Sequence, residues 1–355
     1  MSTPRWCDTA ATRALGIRLP VLLGAFGGVS SVALAAAVSN GGGLGSYGLY
    51  GYDGERILAI ARDLAAATPA PVALNLWLPH DGDHDVLPDQ QEFDGYLSAL
   101  SGYFDELGLP LPERPECYLP AFEEQFGAIL EAGPAVVSFV FGTPSCDVID
   151  RAHERDIVTM GTATTVAEAV ALEANGIDMI VASGMEAGGH RVSFLEAAES
   201  SLVGTFALVP QVVDAVGVPV IAAGGIADGR GVAAAIVLGA AAVQVGSAFL
   251  ATDQSAAAPG YRAALRGPGG GQTVLTRAPS GRLARGIPNR LTRETPIAPF
   301  PVQNWLTGRF RSVAAERDIP ELMSLWAGQA SPLIGERDAT ALLNRLVADA
   351  TALLP

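Results

Sequence analysis

Eight short apolar runs recur along this chain, and a segment of helical length separates most of them. The runs are residues 20–25, 44–46, 72–76, 135–139, 157–161, 179–182, 218–222 and 242–245. The intervening segments, 30–39, 54–67, 122–132, 147–155, 165–175, 205–216 and 229–238, are rich in alanine. Many open on Ser, Thr or Asp and close on Asn or Gly, as helix caps require. A strand that is apolar throughout has no solvent face, so these strands belong to a parallel sheet covered on both sides. Eight such β/α units predict a (β/α)8 TIM barrel, with an open doubly wound sheet as the alternative.

Two regions exceed eight plain units. Residues 79–120, between the third strand and its helix, are rich in acids, prolines and aromatics. Everything after residue 252 reads as loops followed by helices at 303–317, 320–327 and 337–354. The expected division is a cofactor-binding barrel of residues 1–78 and 121–252. An additional, mostly helical capping region of 79–120 and 253–355 then shapes a substrate pocket at the C-terminal mouth.

Composition removes several function classes. With 355 residues, 49% of them hydrophobic, the chain can bury a substantial core. A formal charge of −15 argues against a nucleic-acid partner. All 22 basic residues are arginine. Without lysine there is no Schiff-base chemistry, no pyridoxal phosphate enzyme and no P-loop. Three scattered cysteines, Cys7, Cys117 and Cys146, fit a reducing cytoplasm. The N-terminus lacks the apolar stretch of a signal peptide. Residues 231–252 carry no charge, but Gly239, Gln244, Gly246 and Ser247 interrupt them, so a helix and a buried strand explain them better than a membrane span.

Chemistry concentrates in three turns. The sixth strand runs into Ser183-Gly184-Met185-Glu186-Ala187-Gly188-Gly189-His190-Arg191. Glycines there admit close approach of a bound group, and His190 can move a proton near neutral pH. The seventh strand leads into Gly224-Gly225 and the eighth, Ala242-Val243-Gln244-Val245, into Gly246-Ser247. In (β/α)8 barrels a phosphate commonly sits in the loops after these two strands. Backbone N–H groups of the glycines can cradle it, helped by a helix N-terminus and by the Ser247 hydroxyl. A phosphorylated cofactor with a flat ring system, FMN, fits this arrangement, and so does a phosphosugar substrate.

Further pieces carry a resemblance to a known family. They are Leu34-Ala35-Ala36-Ala37-Val38-Ser39-Asn40-Gly41-Gly42-Gly43-Leu44-Gly45, Asn75-Leu76-Trp77, Glu186-Ala187-Gly188-Gly189-His190-Arg191, residues 222–226 and 244–252, Leu275-Thr276-Arg277 with Ser280-Gly281-Arg282, Pro301-Val302-Gln303-Asn304, and Ser324-Leu325-Trp326-Ala327-Gly328-Gln329. Over nearly its whole length the chain resembles the nitronate monooxygenases, once called 2-nitropropane dioxygenases, and their bacterial class I branch in particular. The resemblance implies an FMN-dependent TIM barrel that oxidises an alkyl nitronate, such as propionate 3-nitronate, with molecular oxygen to a carbonyl compound and nitrite. It implies His190 as the catalytic histidine, acting as a base or as an electrostatic partner of the anionic substrate. It also implies FMN contacts at Asn75, Ser183, Gly188, Gly224, Gly225, Gln244, Val245, Gly246 and Ser247. Ala25, Phe26, Gly27, Trp326 and Gln329 then belong to the surroundings of flavin and substrate.

Two positions depart from the family pattern. Phe26 stands where the family has a methionine in the turn after the first strand. Ser183 stands where it has a glutamine, and serine is too short to reach the same flavin atom without a water. Other features read as structural. His80 and His84 among Asp81, Asp83 and Asp85 resemble a metal cluster, but Gly82 and the flanking prolines predict a solvated loop, so no metal site is expected. Arg277, Arg282, Arg285 and Arg290 are expected to pair with carboxylates rather than to line a pocket. Glu186 is expected to orient an arginine or cap a turn. Two other functions stay open, an NAD(P)H-dependent flavin reductase acting on a quinone or enoyl thioester and a non-catalytic flavin-binding partner. No nucleic-acid or membrane partner is expected, and an oligomer is compatible with the sequence.

Overall fold

The computed structural model describes residues 3–79 and 87–354. Among the described residues, eleven strands form two sheets: β1 (Val21–Leu23), β2 (Gly45–Gly48), β3 (Val72–Trp77), β4 (Val136–Val140), β5 (Val158–Ala163), β6 (Met179–Ser183), β7 (Gly189–His190), β8 (Val220–Ala223), β9 (Ala242–Val245), β10 (Val274–Thr276) and β11 (Ala284–Gly286). Eight of them are parallel, in the order β1-β9-β8-β6-β5-β4-β3-β2. A parallel bridge from Leu22 to Leu44 joins the two ends, with Leu23 N–H donating to Leu44 O at 2.9 Å. The sheet is thus the expected (β/α)8 barrel, and all eight expected strands are present.

Side-chain alternation divides each strand between two cores. Val21, Leu23, Leu74, Leu76, Val137 and Phe139 face outward into the layer shared with the helices. Leu22, Ala73, Val136, Met160, Val181, Ile221 and Ala242 fill the barrel's interior, closed from below by Leu15 and Ile17. Counting by two from these inward residues reaches Asn75, Ser138, Ser183 and Gln244 at the C-terminal end. The same parity that packs the floor with aliphatics therefore sets polar groups at the mouth.

No full helix follows β9, where a single turn, Ser247–Leu250, leads into the cap. The last helix, Ala339–Thr351, packs against the helices Gly229–Val237 and Val32–Gly41 and so completes the barrel's outer ring. The expected division placed this helix with the cap. The rest of the cap has its own core. The helix Gln90–Leu107 packs along the helix Val302–Glu316, with Phe93, Leu97, Leu100, Phe104, Leu306 and Phe310 buried between them and Leu250 and Leu265 beside them. Residues 320–327 are not a helix. A 3-10 turn, Pro320–Leu322, gives way to extended chain in which Trp326 bridges Gly286, because Met323 and Leu325 are drawn into the cap core. The histidine–aspartate loop at 80–86 lies outside the described residues. No helix among the described residues is long and apolar enough to cross a membrane.

Candidate active site

The second sheet places His190. Its strand β7 is the outer strand of the order β10-β11-β7, pairing antiparallel with β11 so that His190 lies opposite Ala284. The turn that carries it from the barrel is fixed at several points. Arg191, 2% exposed, donates to the carbonyls of Ser183 (3.1 Å), Gly184 (2.8 Å) and Ser201 (2.9 Å). Glu186 accepts from Thr205 N–H at 2.9 Å and from its hydroxyl at 3.0 Å. It thereby caps the helix Thr205–Ala215, whose own N-cap is Gly204 and has no side chain to do so. That agrees with the expectation of a capping role. A side chain at Gly188 would come within 2.6 Å of the Ala327 carbonyl carbon and the Gly328 nitrogen, so only glycine lets turn and cap meet.

An aromatic wall surrounds the imidazole. Trp77 lies edge-on at 5.1 Å, Trp326 at 5.3 Å and Phe141 at 6.2 Å between ring centroids. Tyr50 and Phe300 extend the wall, at 4.1 Å and 6.1 Å from Trp77. Phe141 adopts a left-handed φ of 69°, a strained conformation for this residue, at the end of β4. Trp326 is held by its carbonyl, which accepts from Tyr261 Oη at 2.7 Å. The Arg282 guanidinium stacks over Phe300 at 3.9 Å and over Phe141 at 4.0 Å. Of the four arginines expected to pair structurally, Arg277 pairs with Glu199 and Arg290 with Glu106, while Arg285 donates to Met185 O at 2.8 Å. Arg282 alone of the four stacks on this wall.

His190 Nε2 lies 2.8 Å from Ser280 Oγ. Arg282 O lies 3.2 Å from the same hydroxyl. Ser280 can therefore serve either tautomer of His190, accepting from Nε2–H while it donates to Arg282 O, or donating to Nε2 itself. Burial, and then the charges of Arg282 and Arg311, push the imidazole's pKa down from 6.5 to about 3. Near pH 7 the histidine is neutral and the arginines carry the positive charge.

The mouth's other wall is backbone. Gly224 and Gly225 have φ of +97° and +72°. Among the described residues, nothing accepts a hydrogen bond from the N–H groups of Gly224, Gly225, Gly246 or Ser247. Ser247 Oγ accepts from Gly328 N–H at 2.8 Å, which leaves its proton for another acceptor. The expected help from a helix N-terminus is absent after β8. There the Asp228 side chain takes the N–H groups of Arg230 and Gly231, at 3.0 and 3.2 Å, so the donors on offer are the glycine turns and Ser247.

The remaining expected positions divide. Asn75 donates to Ser138 Oγ at 3.0 Å and sits inside the mouth with Ser183, both nearly buried. Ala25, Phe26 and Gly27 form the turn above β1. Phe26 rests beside Gly24 and Gly246, and its backbone is tied to Ser30 Oγ. Val245 turns its side chain outward into the helix layer and gives its carbonyl to Gly24 N–H, so it brings no side chain to the mouth. Gln329 is exposed and reaches the turn through its N–H, bonded to Glu186 O at 2.9 Å. Ser280 was noted only as part of the Ser280-Gly281-Arg282 motif, and Tyr50, Phe141, Phe300 and Arg311 were not singled out from the sequence. Each comes from a different part of the chain or from the cap, and no spacing links them.

Barrel, mouth and histidine define a (β/α)8 enzyme that works at the C-terminal ends of its strands. The chain belongs to the nitronate monooxygenase family, a family of oxidoreductases whose profile matches residues 8–349. It is 40% identical over 345 residues to a nitronate monooxygenase from Pseudomonas aeruginosa, covering 95% of this chain and 97% of that one. A probable nitronate monooxygenase from Staphylococcus saprophyticus is 37% identical, with 98% and 99% covered. Among solved structures, a nitroalkane oxidase from Streptomyces ansochromogenes superposes with a TM-score of 0.85 at 35% identity, covering 97% of this chain and 98% of that one.

Proposed function

We propose that this protein is an FMN-dependent enzyme that oxidises small alkyl nitronates, propionate 3-nitronate among them, with molecular oxygen to a carbonyl compound and nitrite. The observation that carries the reading is His190 at an aromatic wall on which Arg282 stacks, in a barrel whose glycine turns after β8 and β9 offer N–H groups with no acceptor among the described residues. The residues fit the cofactor. Gly224, Gly225, Gly246 and Ser247 would take its phosphate, and Asn75 and Gly188 would lie along the ring. When bound, FMN supplies an acceptor for the substrate's electrons that oxygen can reoxidise.

The protein's own groups act on the anion. Arg282 and Arg311 attract it, the aromatic wall excludes water and strengthens that attraction, and His190 orients it. For a neutral nitroalkane, neutral His190 can take the α-proton. Neutral His190 favours this division of labour over a protonated histidine as the anion's partner. We also infer a cytoplasmic setting, supported by three unpaired cysteines.

Purified protein should be yellow, consume oxygen and release nitrite from propionate 3-nitronate. Absence of flavin after gentle purification overturns the cofactor, and flavin without nitrite release overturns the substrate. Anaerobic bleaching by NADH or NADPH would point instead to a reductase.

A further inference from the structure

We propose that Ser247 is a positioning residue that couples an anion held by the glycine turns after β8 and β9 to the segment 324–329, and so sets Trp326 against His190 when a phosphate is bound. This rests on the reading of those turns as the cofactor's phosphate site.

The segment runs from the cap core to the turn after β6, and backbone hydrogen bonds hold it along its length. Ile287 N–H donates to Leu325 O at 2.8 Å, and Ala327 N–H to Arg285 O at 3.3 Å. Tyr261 Oη donates to Trp326 O at 2.7 Å. Gln329 N–H donates to Glu186 O at 2.9 Å, and Gly328 N–H to Ser247 Oγ at 2.8 Å. A side chain at Gly328 would come within 2.9 Å of Glu186 O and 3.3 Å of Gly188 N, so segment and turn are pressed together here. Trp326 precedes Gly328 by two residues, and its ring centroid lies 5.3 Å from that of His190.

One of these anchors can sense an anion. The carbonyls of Arg285 and Glu186 only accept, and the Tyr261 hydroxyl gives its proton to Trp326 O. Ser247 Oγ accepts from Gly328 N–H, which can do nothing but donate, so the hydroxyl proton stays available. Ser247 follows Gly246 directly, and β9 pairs with β8 so that Gln244 lies opposite Ala223. The two glycine turns therefore leave neighbouring strands, and their N–H groups have no acceptor among the described residues. Donation to an anion raises the electron density on Oγ and strengthens its bond to Gly328, since hydrogen bonds in a chain polarise one another. The coupling is reciprocal, so a segment docked on Ser247 also favours the anion.

Fluorine NMR of the full chain labelled with fluorotryptophan follows the movement. The chain has four tryptophans, Trp6, Trp77, Trp305 and Trp326, and Trp326→Phe identifies the Trp326 signal. Inorganic phosphate is titrated into the flavin-free protein, and calorimetry gives its affinity. Circular dichroism establishes that Ser247→Ala is folded, and Ser247→Gly stands in if it is not. In the wild type the Trp326 signal should move in step with phosphate saturation. Ser247→Ala should weaken phosphate binding about tenfold, as loss of one hydrogen bond to a charged group does. At saturation its Trp326 signal should stay where it stood without phosphate. A serine that merely braces the segment would leave phosphate affinity unchanged. Unchanged affinity, a Trp326 signal that moves alike in variant and wild type, or one that ignores phosphate in the wild type overturns the proposal, as does the absence of saturable phosphate binding. Nitrite release from a nitronate is assayed separately, so a phosphate-linked Trp326 signal without turnover counts against the proposed function and not against the coupling.

Discussion

His190 and Ser280 share a hydrogen bond of 2.8 Å although 90 positions separate them in the chain. One belongs to the turn after β6, the other to the loop before β11. The bond joins the turn after β6 to the cap and occupies Nε2, whichever of the two atoms donates.

The first prediction concerns the histidine. His190→Asn should lower kcat/KM with propionate 3-nitronate by about 100-fold or more, the usual cost of losing a positioned acid–base group. Flavin content should stay at the wild-type level, because the glycine turns and Asn75 are untouched. Steady-state oxygen consumption and the visible spectrum test both halves, and undiminished turnover excludes His190 from the chemistry.

A second prediction follows from burial. The imidazole's pKa falls from 6.5 to about 3 on folding, so between these values the unfolded chain binds a proton that the native protein refuses. The associated stability is fully present above pH 6.5 and is lost as the pH falls toward 3, an effect on the order of a few kcal/mol. Urea midpoints should therefore drop more steeply in acid for the wild type than for His190→Asn. The kcat/KM profile should likewise show no ionisation near pH 6.5. A break there that vanishes in His190→Asn would contradict a neutral histidine.

Arg282 stacks on Phe141 and Phe300 beside the histidine. Arg282→Met keeps much of the apolar contact and removes the charge. KM for an anionic substrate should rise about tenfold or more, with a smaller change in kcat, as removal of uniform binding predicts. Equal losses in kcat and kcat/KM would place the arginine's effect in the transition state instead.

Gly188 marks the closest approach of turn and cap. Gly188→Ala should cost about 1–3 kcal/mol, the typical penalty of forcing a methyl group into a filled space. Thermal unfolding should shift downward and flavin should be lost during gel filtration. An unchanged melting temperature would mean that residues 326–329 yield easily.

The barrel was legible because its strands are apolar on both faces and its helices carry capping residues. Ser183, Asn75 and Gln244 could be placed by counting in twos from buried neighbours. The helix Gln90–Leu107 was not foreseen, although Phe93, Leu97, Leu100, Phe104 and Leu107 repeat at helical spacing and Asp89 with Glu92 forms a capping box. Acids and prolines around it dominate the composition and conceal the period. Residues 320–327 erred in the opposite sense, since Leu322, Met323 and Leu325 suit a helix but are taken by the cap core. Of the aromatic wall, Trp326 was expected near the site and Trp77 belonged to a motif, but Tyr50, Phe141 and Phe300 left no trace, because they come from separate parts of the chain that no spacing links. Nor does sequence separate Arg282 from Arg277. One stacks on rings and the other meets a surface glutamate, and only the fold assigns those surroundings.

The pairing of β7 with β11 bears on the order of events during synthesis. By residue 245 the ribosome has released all eight barrel strands, yet His190 has no partner strand until residues 284–286 emerge. Trp326 arrives later still, and the helix that closes the barrel's outer ring ends at Thr351. A truncated product can hold every barrel strand and still lack a placed histidine. The histidine's surroundings are in this way assembled only after the last barrel strand has been made.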